Sequence, residues 1–541
     1  MQETPIPLSH TCAVHPHGCL RVWGGVFLAL AWLGLSAAQG QTTNYALGTA
    51  TLVVGPAAGT NSVVLGVTPA TGAWTATNNA GWLHLSPANE GGTGSTNVIF
   101  SYDANPGATR SGTLTIGDQT LTVTQAGSTY VAAGAVTTLV SSGLFVPSGV
   151  AVDGAGNVYI ADSGDNAIKE WTAANNTVIT LVSSNLNSPE GVAVDGAGNV
   201  YIADTGNSAV EEWRAANNTV TTLVSGLGEP AGVAVDGAGN IYIADTENSA
   251  IKKWTVANSN VTTLVSSGLV FPRGVAVDSA SNVYIADTAG NAIKEWTAAN
   301  SNVTTLVASG LYEPYSMAVD GAGNVYIADT YNQVIKEWTA ANNTVSTLVP
   351  SGLYYPSAVA VDGSGNVYIA DRNHNAIKEL PYAFVDPTPR IESALLGNNA
   401  LVVLPATANL LAPFAPTSGQ SWLTLTGITN GVVNFSVAAN PGLPRMAHIN
   451  LLGQTIAVMQ VALGPPQILS VLPPQGNGVF QFAFGNTESA SFTVLSTTNL
   501  SLPVCNWTVV GAASNTAPGV YQFTSPPMTN DAQCFYGVRS P

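Results

Sequence analysis

The chain has 541 residues, of which only 8% are charged, and it contains 55 glycines and 31 prolines. Its 31 acidic and 14 basic residues give a net charge of −17, so it lacks the positive field that attracts nucleic acid or anionic lipid. The length allows three or four domains, and the composition favours short strands joined by tight turns over long surface helices.

An apolar segment lies near the amino terminus. Arg21 precedes a continuous apolar run from Val22 to Leu35, and small residues follow at 36–38. Fourteen apolar residues are too few to cross a bilayer but match the core of a signal peptide. The segment predicts a signal peptide over residues 1–40 and export of the remainder, with a buried strand as the alternative. No lipid anchor is expected, because no cysteine follows the small residues, and no later segment predicts a membrane span.

Residues 48–127 read as strands and carry four motifs. These are Trp82-Leu-His-Leu-Ser-Pro87, Asn105-Pro-Gly107, Arg110-Ser-Gly-Thr-Leu-Thr-Ile116 and Leu121-Thr-Val-Thr-Gln125. The set resembles the BACON domain, so an immunoglobulin-like β-sandwich is expected here. The resemblance implies either contact with carbohydrate or mucin, or a spacer role, and we interpret the module as a spacer.

The centre of the chain is repetitive. The phrase Ala-Val-Asp-Gly-x-Gly-Asn-Val-Tyr-Ile-Ala-Asp recurs six times, with few changes, at intervals of 41 or 42 residues. Its first aspartate falls at Asp153, Asp195, Asp236, Asp278, Asp320 and Asp362, and its second at Asp162, Asp204, Asp245, Asp287, Asp329 and Asp371. A period of this length with strand-like composition is typical of propeller blades.

Each repeat reads as four strands. In the first repeat these are residues 149–153, 158–161, 167–172 and 177–182, separated by turns rich in Gly, Asn and Asp. Helical repeats of similar length need apolar residues spaced by 3.6, and that spacing is absent.

These repeats resemble the NHL family, on the motifs Pro-x-Gly-Val-Ala-Val-Asp, Gly-Asn-Val-Tyr-Ile-Ala-Asp and Asn-x-x-Ile-Lys-Glu-Trp. The resemblance covers residues 133–382. The fold class expected for the chain is therefore all-β: a six-bladed propeller, two flanking sandwiches and a small C-terminal β module.

The ends of the repeat region predict how the ring closes. The last repeat stops after its third strand, at Ile377–Leu380, while an unassigned strand, Ala135–Val140, precedes the first repeat and matches a fourth strand in sequence. Together the two fragments complete one blade, and closure removes the exposed edges of an open array.

A tryptophan ends the third strand of five repeats and a leucine ends the sixth. An aromatic ladder for a ligand is one interpretation, and the filling of gaps near the blade rims is the favoured one. The residues are Trp171, Trp213, Trp254, Trp296, Trp338 and Leu380.

A weaker copy of the first sandwich follows the propeller. Trp422, Asn440, Arg445 and Gln460 stand in the order of the first module, and from the Asn-Pro-Gly motif onward the offset is a constant 335 residues. A degenerate BACON-like sandwich is therefore expected over residues 388–463. Residues 466–541 alternate as strands and predict a C-terminal β module, either a sorting element or a cap.

Cysteines are few. Cys12 and Cys19 fall in the predicted signal peptide, which leaves Cys505 and Cys534. An even number in an exported protein predicts a disulfide between them, and a reduced pair is the alternative.

The sequence gives little support for catalysis. Beyond the signal peptide only His84, His374 and His448 remain, one in each of three domains, so histidines cannot form a three-ligand zinc site within the propeller. The Gly-x-Gly turns lie between two strands and not before a helix, so they do not predict a phosphate site. No cofactor, metal or catalytic residue is therefore expected. The repeated aspartates admit a calcium ring, but we assign them to their turns.

Binding is easier to place. A position that varies among near-identical repeats is not required by the blade, and the connections from fourth to first strand and from second to third strand vary most. Antiparallel order puts both at one end of the ring. The first connection contributes Phe145, Phe271, Arg273, Tyr312, Tyr315, Tyr354 and Tyr355, and the second contributes Tyr331, Arg372 and His374. Exposed Tyr and Arg on one face predict an interaction surface, with drift in unconstrained loops as the alternative.

The function predicted is a secreted or cell-surface binding or adhesion protein that recognises a protein or a glycan with this face. One alternative is a lyase or lactonase that acts on extracellular carbohydrate or lactone, because some propellers resembling this family have those activities. Another is a structural surface-layer component. The ligand, the anchoring mode and the oligomeric state stay open.

Overall fold

The computed structural model describes residues 42–539 except 407, 409, 411–413, 442, 463–466, 473–478, 486–491, 518–519 and 527–533. The predicted signal peptide lies outside the described residues. Within them, helical structure is limited to single 3-10 turns at Pro87–Asn89, Ser163–Asp165, Thr205–Asn207, Thr330–Asn332, Arg372–His374 and Val504–Asn506. None of these described helices could span a bilayer. The predicted all-β class is confirmed.

Six four-stranded antiparallel sheets, here blades 1 to 6, make up the repeat region. Their first strands are Pro147–Val152, Pro189–Val194, Pro230–Val235, Pro272–Val277, Pro314–Val319 and Pro356–Val361. Their second strands are Val158–Asp162, Val200–Asp204, Ile241–Asp245, Val283–Asp287, Val325–Asp329 and Val367–Asp371. Their third strands are Ala167–Thr172, Ala209–Arg214, Ala250–Thr255, Ala292–Trp296, Val334–Thr339 and Ala376–Leu380. The fourth strands of blades 1 to 5 are Thr177–Val182, Thr219–Ser225, Asn260–Val265, Val303–Val307 and Thr344–Val349.

The first strands face one another around the centre, and the first strand of blade 6 contacts that of blade 1. The approach of neighbouring blades is close: a Cβ on Gly232 would lie 2.4 Å from the Arg273 carbonyl oxygen, so only glycine fits there. Blade 6 takes its fourth strand, Thr137–Val140, from upstream of blade 1, and Thr138 pairs with Lys378. The sheets therefore form a closed β-propeller.

The apolar cores lie between adjacent blades. One cluster joins Tyr159 and Ile168 of blade 1 to Val192 and Trp213 of blade 2, and five similar clusters lie at the other junctions. Trp213 is only 7% exposed. The tryptophans therefore pack at the junctions between blades, where Trp171, Trp213, Trp254 and Trp338 are buried and Trp296 is half-buried. This favours the gap-filling role over a ligand ladder.

A buried hydroxyl bonds each blade to the next. Thr288 of blade 4 donates to the Pro314 carbonyl of blade 5 at 2.8 Å. The same bond recurs from Ser163, Thr205, Thr246 and Thr330.

Thr288→Val should destabilise the propeller by about 1–2 kcal/mol, because it keeps the shape of the side chain and leaves a buried carbonyl without its donor. Chemical denaturation of the full chain measures the change. Thr305→Val, on an exposed fourth strand, is the matched control and should cost less than 0.5 kcal/mol. Equal costs would contradict a role for the buried bond.

One end of the propeller is here called the turn end (residues 153–157 and 173–176 and their counterparts). There, both carboxylate oxygens of the first aspartate of each repeat accept hydrogen bonds. Asp153 Oδ1 accepts the N–H groups of Ala155 and Asn157 at 2.9 Å, while Oδ2 accepts Asn157 Nδ2 at 2.9 Å and the Tyr159 hydroxyl at 3.3 Å. The same contacts recur at Asp195, Asp236, Asp278, Asp320 and Asp362. These carboxylates stabilise their own turns, as predicted.

The first sandwich has two sheets around one core. One sheet contains Asn44–Leu47, Gly59–Thr68, Thr96–Tyr102 and Leu83–Leu85. The other contains Thr51–Val54, Gln119–Gln125, Arg110–Ile116, Ala73–Asn78 and Gly91–Thr93. Arg110 Nε donates to Gln125 Oε1 at 3.0 Å, and its guanidinium lies 4.5 Å from the ring centre of Trp82.

The second sandwich repeats these contacts. Arg445 Nε donates to Gln460 Oε1 at 2.8 Å, and the guanidinium lies 4.4 Å from the Trp422 ring centre. One sheet contains Val131–Ala132, Phe384–Val385, Gly397–Leu404, Val432–Val437 and Leu423–Thr429. The other contains Arg390–Glu392, Gln454–Gln460, Arg445–Leu451 and Thr417–Ser418. The segment that enters the propeller, Val131–Ala132, and the segment that leaves it, Phe384–Val385, thus form strands of this sandwich. Both lie before residue 388, where the sandwich was predicted to begin.

The first sandwich docks on the turn end of blade 5. Val64 N donates to the Gly321 carbonyl at 3.0 Å, and Ser62 Oγ donates to the Ala322 carbonyl at 2.5 Å. A Cβ on Gly321 would lie 2.6 Å from the Gly48 carbonyl oxygen, so the two backbones touch. The sandwich therefore covers part of the turn end.

The C-terminal module has one sheet of Gln467–Leu472, Gln481–Gly485, Val520–Thr524 and Ser514–Ala517 and another of Thr508–Ala512, Thr493–Thr497 and Phe535–Arg539. Cys505 and Cys534 are both free thiols in the structure, which therefore does not show the predicted disulfide. Cys505 precedes the strand at 508–512 and Cys534 precedes the strand at 535–539, and the strand at 493–497 lies between those two.

Candidate functional site: the loop end of the propeller

The two variable connections meet at the end opposite the turns, here called the loop end (residues 141–146 and 163–166 and their counterparts). In blade 5 the Tyr331 N–H donates to the Tyr312 carbonyl at 3.2 Å, and in blade 6 the Asn373 N–H donates to the Tyr354 carbonyl at 3.1 Å. The candidate residues therefore share one end of the ring, as the antiparallel order predicts.

Buried aspartates at the ends of the second strands position these loops. Asp329 Oδ1 accepts the Tyr312 N–H at 2.7 Å, and Asp371 Oδ1 accepts the Tyr354 N–H at 2.7 Å. Both aspartates are fully buried, and each pairs with a third-strand lysine. Loss of either partner would leave the other charge buried and unpaired, which is unfavourable. The ion pairs therefore stabilise the aspartates that hold the tyrosine-bearing loops.

In blade 2 the buried aspartate at the end of the second strand has a different partner. The third strand of this blade has Glu211 where five blades have lysine, and Asn207 Nδ2 instead bridges Asp204 Oδ2 at 2.6 Å and the Asn185 carbonyl at 3.1 Å. The geometry of the loop is thus kept in every blade although the charges differ.

The residue before the first-strand proline has positive φ in all six blades. Examples are Phe271 at 50° and Tyr355 at 54°. Such a conformation is strained for a residue with a side chain, but its presence in every blade shows that it belongs to the fold and not to a ligand site.

Five tyrosines and a histidine form a continuous cluster across blades 5 and 6. Ring centres are 5.2 Å apart for Tyr312 and Tyr331, 6.1 Å for Tyr315 and Tyr331, and 5.2 Å for Tyr331 and Tyr355. Tyr355 lies 5.3 Å from Tyr354, which lies 5.7 Å from His374. Tyr312 and Tyr354 remain 50% and 45% exposed, so the cluster is accessible to solvent although its rings contact one another.

A central pocket of about 90 Å³ opens beside this cluster, where the first strands converge. Arg273, Tyr315 and Arg372 line it. The Arg273 guanidinium lies 4.7 Å from the Tyr315 ring centre and donates to Glu190 Oε2 at 2.8 Å across the ring. Burial, followed by a hydrogen bond with Tyr331, raises the pKa of Tyr315 to about 12, so its hydroxyl stays neutral at any physiological pH.

Three predicted residues contribute less to the site. Phe145 and Phe271 are 55% and 47% exposed at the loop end, but within the described residues neither ring contacts another aromatic ring. His374 Nδ1 lies 2.7 Å from Asp371 Oδ2, so the histidine also supports the loop.

Glu190 belongs to the pocket but was not among the predicted residues. It occupies the position between the first-strand proline and the following small residue, as do Arg273 and Tyr315. Comparison of that one position across the repeats would have identified it, because the six residues there are Ser148, Glu190, Ala231, Arg273, Tyr315 and Ser357.

Two family models match the chain. The BACON model, described as "Putative binding domain, N-terminal", matches residues 72–126, and the NHL repeat model matches residues 186–212, 227–254 and 353–380. The chain therefore contains a BACON domain and NHL repeats, as the sequence motifs predict. No curated protein matches it.

Solved structures with similar folds include a gluconolactonase of Xanthomonas campestris, 16% identical, covering 46% of this chain and 89% of its own, with a TM-score of 0.40. A protein of unknown function from Bacteroides thetaiotaomicron is 17% identical and covers 63% of this chain and 98% of its own, with a TM-score of 0.43. Virginiamycin B lyase of Staphylococcus aureus is 11% identical and covers 46% and 98%, with a TM-score of 0.37.

Proposed function

We propose that this chain of NHL repeats and a BACON domain is an exported binding protein and not an enzyme, and that the loop end of its propeller recognises a protein or a glycan. The sandwiches act as spacers in this proposal. Export is supported by the apolar segment at 22–35 and its flanking residues.

The observation that carries the proposal is the exposed tyrosine cluster. The residues at its positions vary among the blades: the equivalents of Tyr312 include Phe145, Asn187, Gly228 and Val270, so the blade fold does not need a tyrosine there. Large aromatic side chains held by mutual contact, yet open to solvent, match the residues that dominate binding energy at protein interfaces. Docking of the first sandwich on the turn end also leaves the loop end as the more open of the two.

The experiment is an array of extracellular proteins and glycans probed with the labelled full chain. We expect at least one specific ligand, whose binding is unaffected by a control variant in which four exposed rim valines become threonine. Those control residues are Val178, Val220, Val261 and Val345. Absence of any ligand, or loss of binding in the rim variant, would contradict the proposal.

A further inference from the structure

Arg372 breaks a structural pattern that the other five blades keep. It occupies the position of the hydroxyl that bonds each blade to the next, which is Ser163 in blade 1 and threonine in blades 2 to 5. An arginine cannot make this bond to the next blade in the same way, so the ring would lose one of its six junction bonds.

Another residue replaces the lost bond. Ser357 Oγ of blade 6 donates to the Pro147 carbonyl of blade 1 at 3.1 Å, the carbonyl that the hydroxyl at 372 would have reached. A second bond across this junction, from the Val146 N–H to Asn375 Oδ1, measures 2.8 Å. The junction between blades 6 and 1 thus keeps its hydrogen bonds without Arg372, and the Arg372 side chain is not needed to hold these two blades together.

The side chain of Arg372 instead lines the central pocket. Arg273 is the other guanidinium there, and it is already paired with Glu190. In the part of the chain that the structure describes, Arg372 forms no ion pair. The charged residues lining the pocket are therefore two arginines and one glutamate, which leaves one positive charge uncompensated in a protein of net charge −17.

We propose that Arg372 binds the carboxylate of an Asp or Glu side chain that a protein partner inserts into the central pocket. This rests on the proposed function of the loop end and names its ligand class. The planar guanidinium suits a carboxylate because it can donate two parallel hydrogen bonds to it.

The tyrosine geometry favours a protein over an acidic sugar. Neighbouring rings in the cluster are tilted by 47° to 76°, so their faces do not form one flat platform on which a sugar ring could stack. Tilted, mutually packed tyrosines around an arginine are instead typical of the centre of a protein interface.

The test begins with a random dodecapeptide library selected on the immobilised full chain. The selected peptides should share an Asp or Glu. The tightest peptide and its Asp→Asn or Glu→Gln analogue are then titrated against the wild-type chain and Arg372→Thr. This variant restores the residue of blades 2 to 5, so it should melt at or above the wild-type temperature. Arg214→Thr, an exposed arginine on the third strand of blade 2, is the charge-matched control.

Arg372→Thr should weaken the acidic peptide at least tenfold, and Arg214→Thr should leave it unchanged. The amide analogue should bind the wild type at least tenfold more weakly and be indifferent to Arg372→Thr, as expected for a coupled pair. Selected peptides without acidic residues, or equal affinity for Arg372→Thr, would overturn the proposal. Arg372-dependent binding of hexagalacturonate or acetate without peptide binding would overturn the assignment to a protein.

The outcome also separates this proposal from the broader one. If removal of the tyrosines abolishes peptide binding while Arg372→Thr does not, the loop end is a binding surface and only the role of Arg372 is wrong. If neither change matters, the proposed function itself is wrong.

Discussion

Replacement of four loop-end tyrosines by alanine should abolish binding of the ligand found on the array, with at least a hundredfold loss of affinity. The four are Tyr312, Tyr315, Tyr354 and Tyr355. Each central aromatic residue of an interface typically contributes about 1–2 kcal/mol or more, and roughly 2.7 kcal/mol corresponds to a hundredfold. The propeller should stay folded, because the loops are held by backbone bonds to buried aspartates and not by the rings.

Titration of the full chain measures the affinity, and the melting temperature controls for folding. The rim-valine variant removes as many exposed apolar side chains from the same propeller, so it should bind as the wild type does. Retained affinity in the tyrosine variant, or an equal loss in the rim-valine variant, would contradict the assignment of the site.

The second large effect concerns Glu379 on the third strand of blade 6. Burial, followed by the charge of Asp362, raises the pKa of this carboxyl from 4.5 to about 8. The folded state therefore keeps a proton that the unfolded state has lost between these two values, and stability falls as the pH rises through that window. Glu379→Gln removes the ionisation and should stabilise the propeller by about 4 kcal/mol at pH 8, with little effect at pH 4.

Glu170 is the matched control, because it occupies the same position in blade 1 and is partly exposed, whereas Glu379 is only 6% exposed. Glu170→Gln should therefore change the melting temperature less at every pH. Thermal unfolding of the full chain from pH 4 to pH 9 measures both. A stabilisation by Glu379→Gln that is the same at pH 4 and pH 8 would contradict a titrating carboxyl.

Docking of the first sandwich on blade 5 also buries a carboxyl group and raises its pKa. Glu337, at the same position in blade 5, lines a cavity of about 230 Å³ between the blade and the first sandwich, together with Asp320. Burial, followed by the charge of Asp320, raises its pKa to about 7. Glu337→Gln should accordingly strengthen the docked arrangement most at alkaline pH.

The blades could be predicted from the sequence because each residue type recurs six times in the same role. The third and fourth strands of blade 1 have the predicted bounds, and the strand upstream of blade 1 pairs with Ile377 as its sequence match to a fourth strand indicates. Near-identical repeats also separate positions that every blade requires from positions that vary, and Tyr312 and Arg273 are candidate binding residues because they vary.

Contacts made by one blade only could not be predicted, because the repeats are so similar in sequence. The turn Asp320–Asn324, where the first sandwich docks, is identical in type to the turns of other blades, so nothing in its sequence marks blade 5. Long-range partners such as Glu190 and Arg273 lie two blades apart, and their side chains meet only because the first strands converge at the centre of the propeller.

Hydrogen exchange of the full chain, free and with the ligand from the array, tests the central claim most directly. Binding at the loop end predicts protection of backbone amides in residues 310–316, 330–334, 352–358 and 371–376, with unchanged exchange in the turns at 153–157 and 195–199. Protection confined to those turns, or to the sandwiches at 44–125 and 390–460, would place recognition elsewhere and contradict the account.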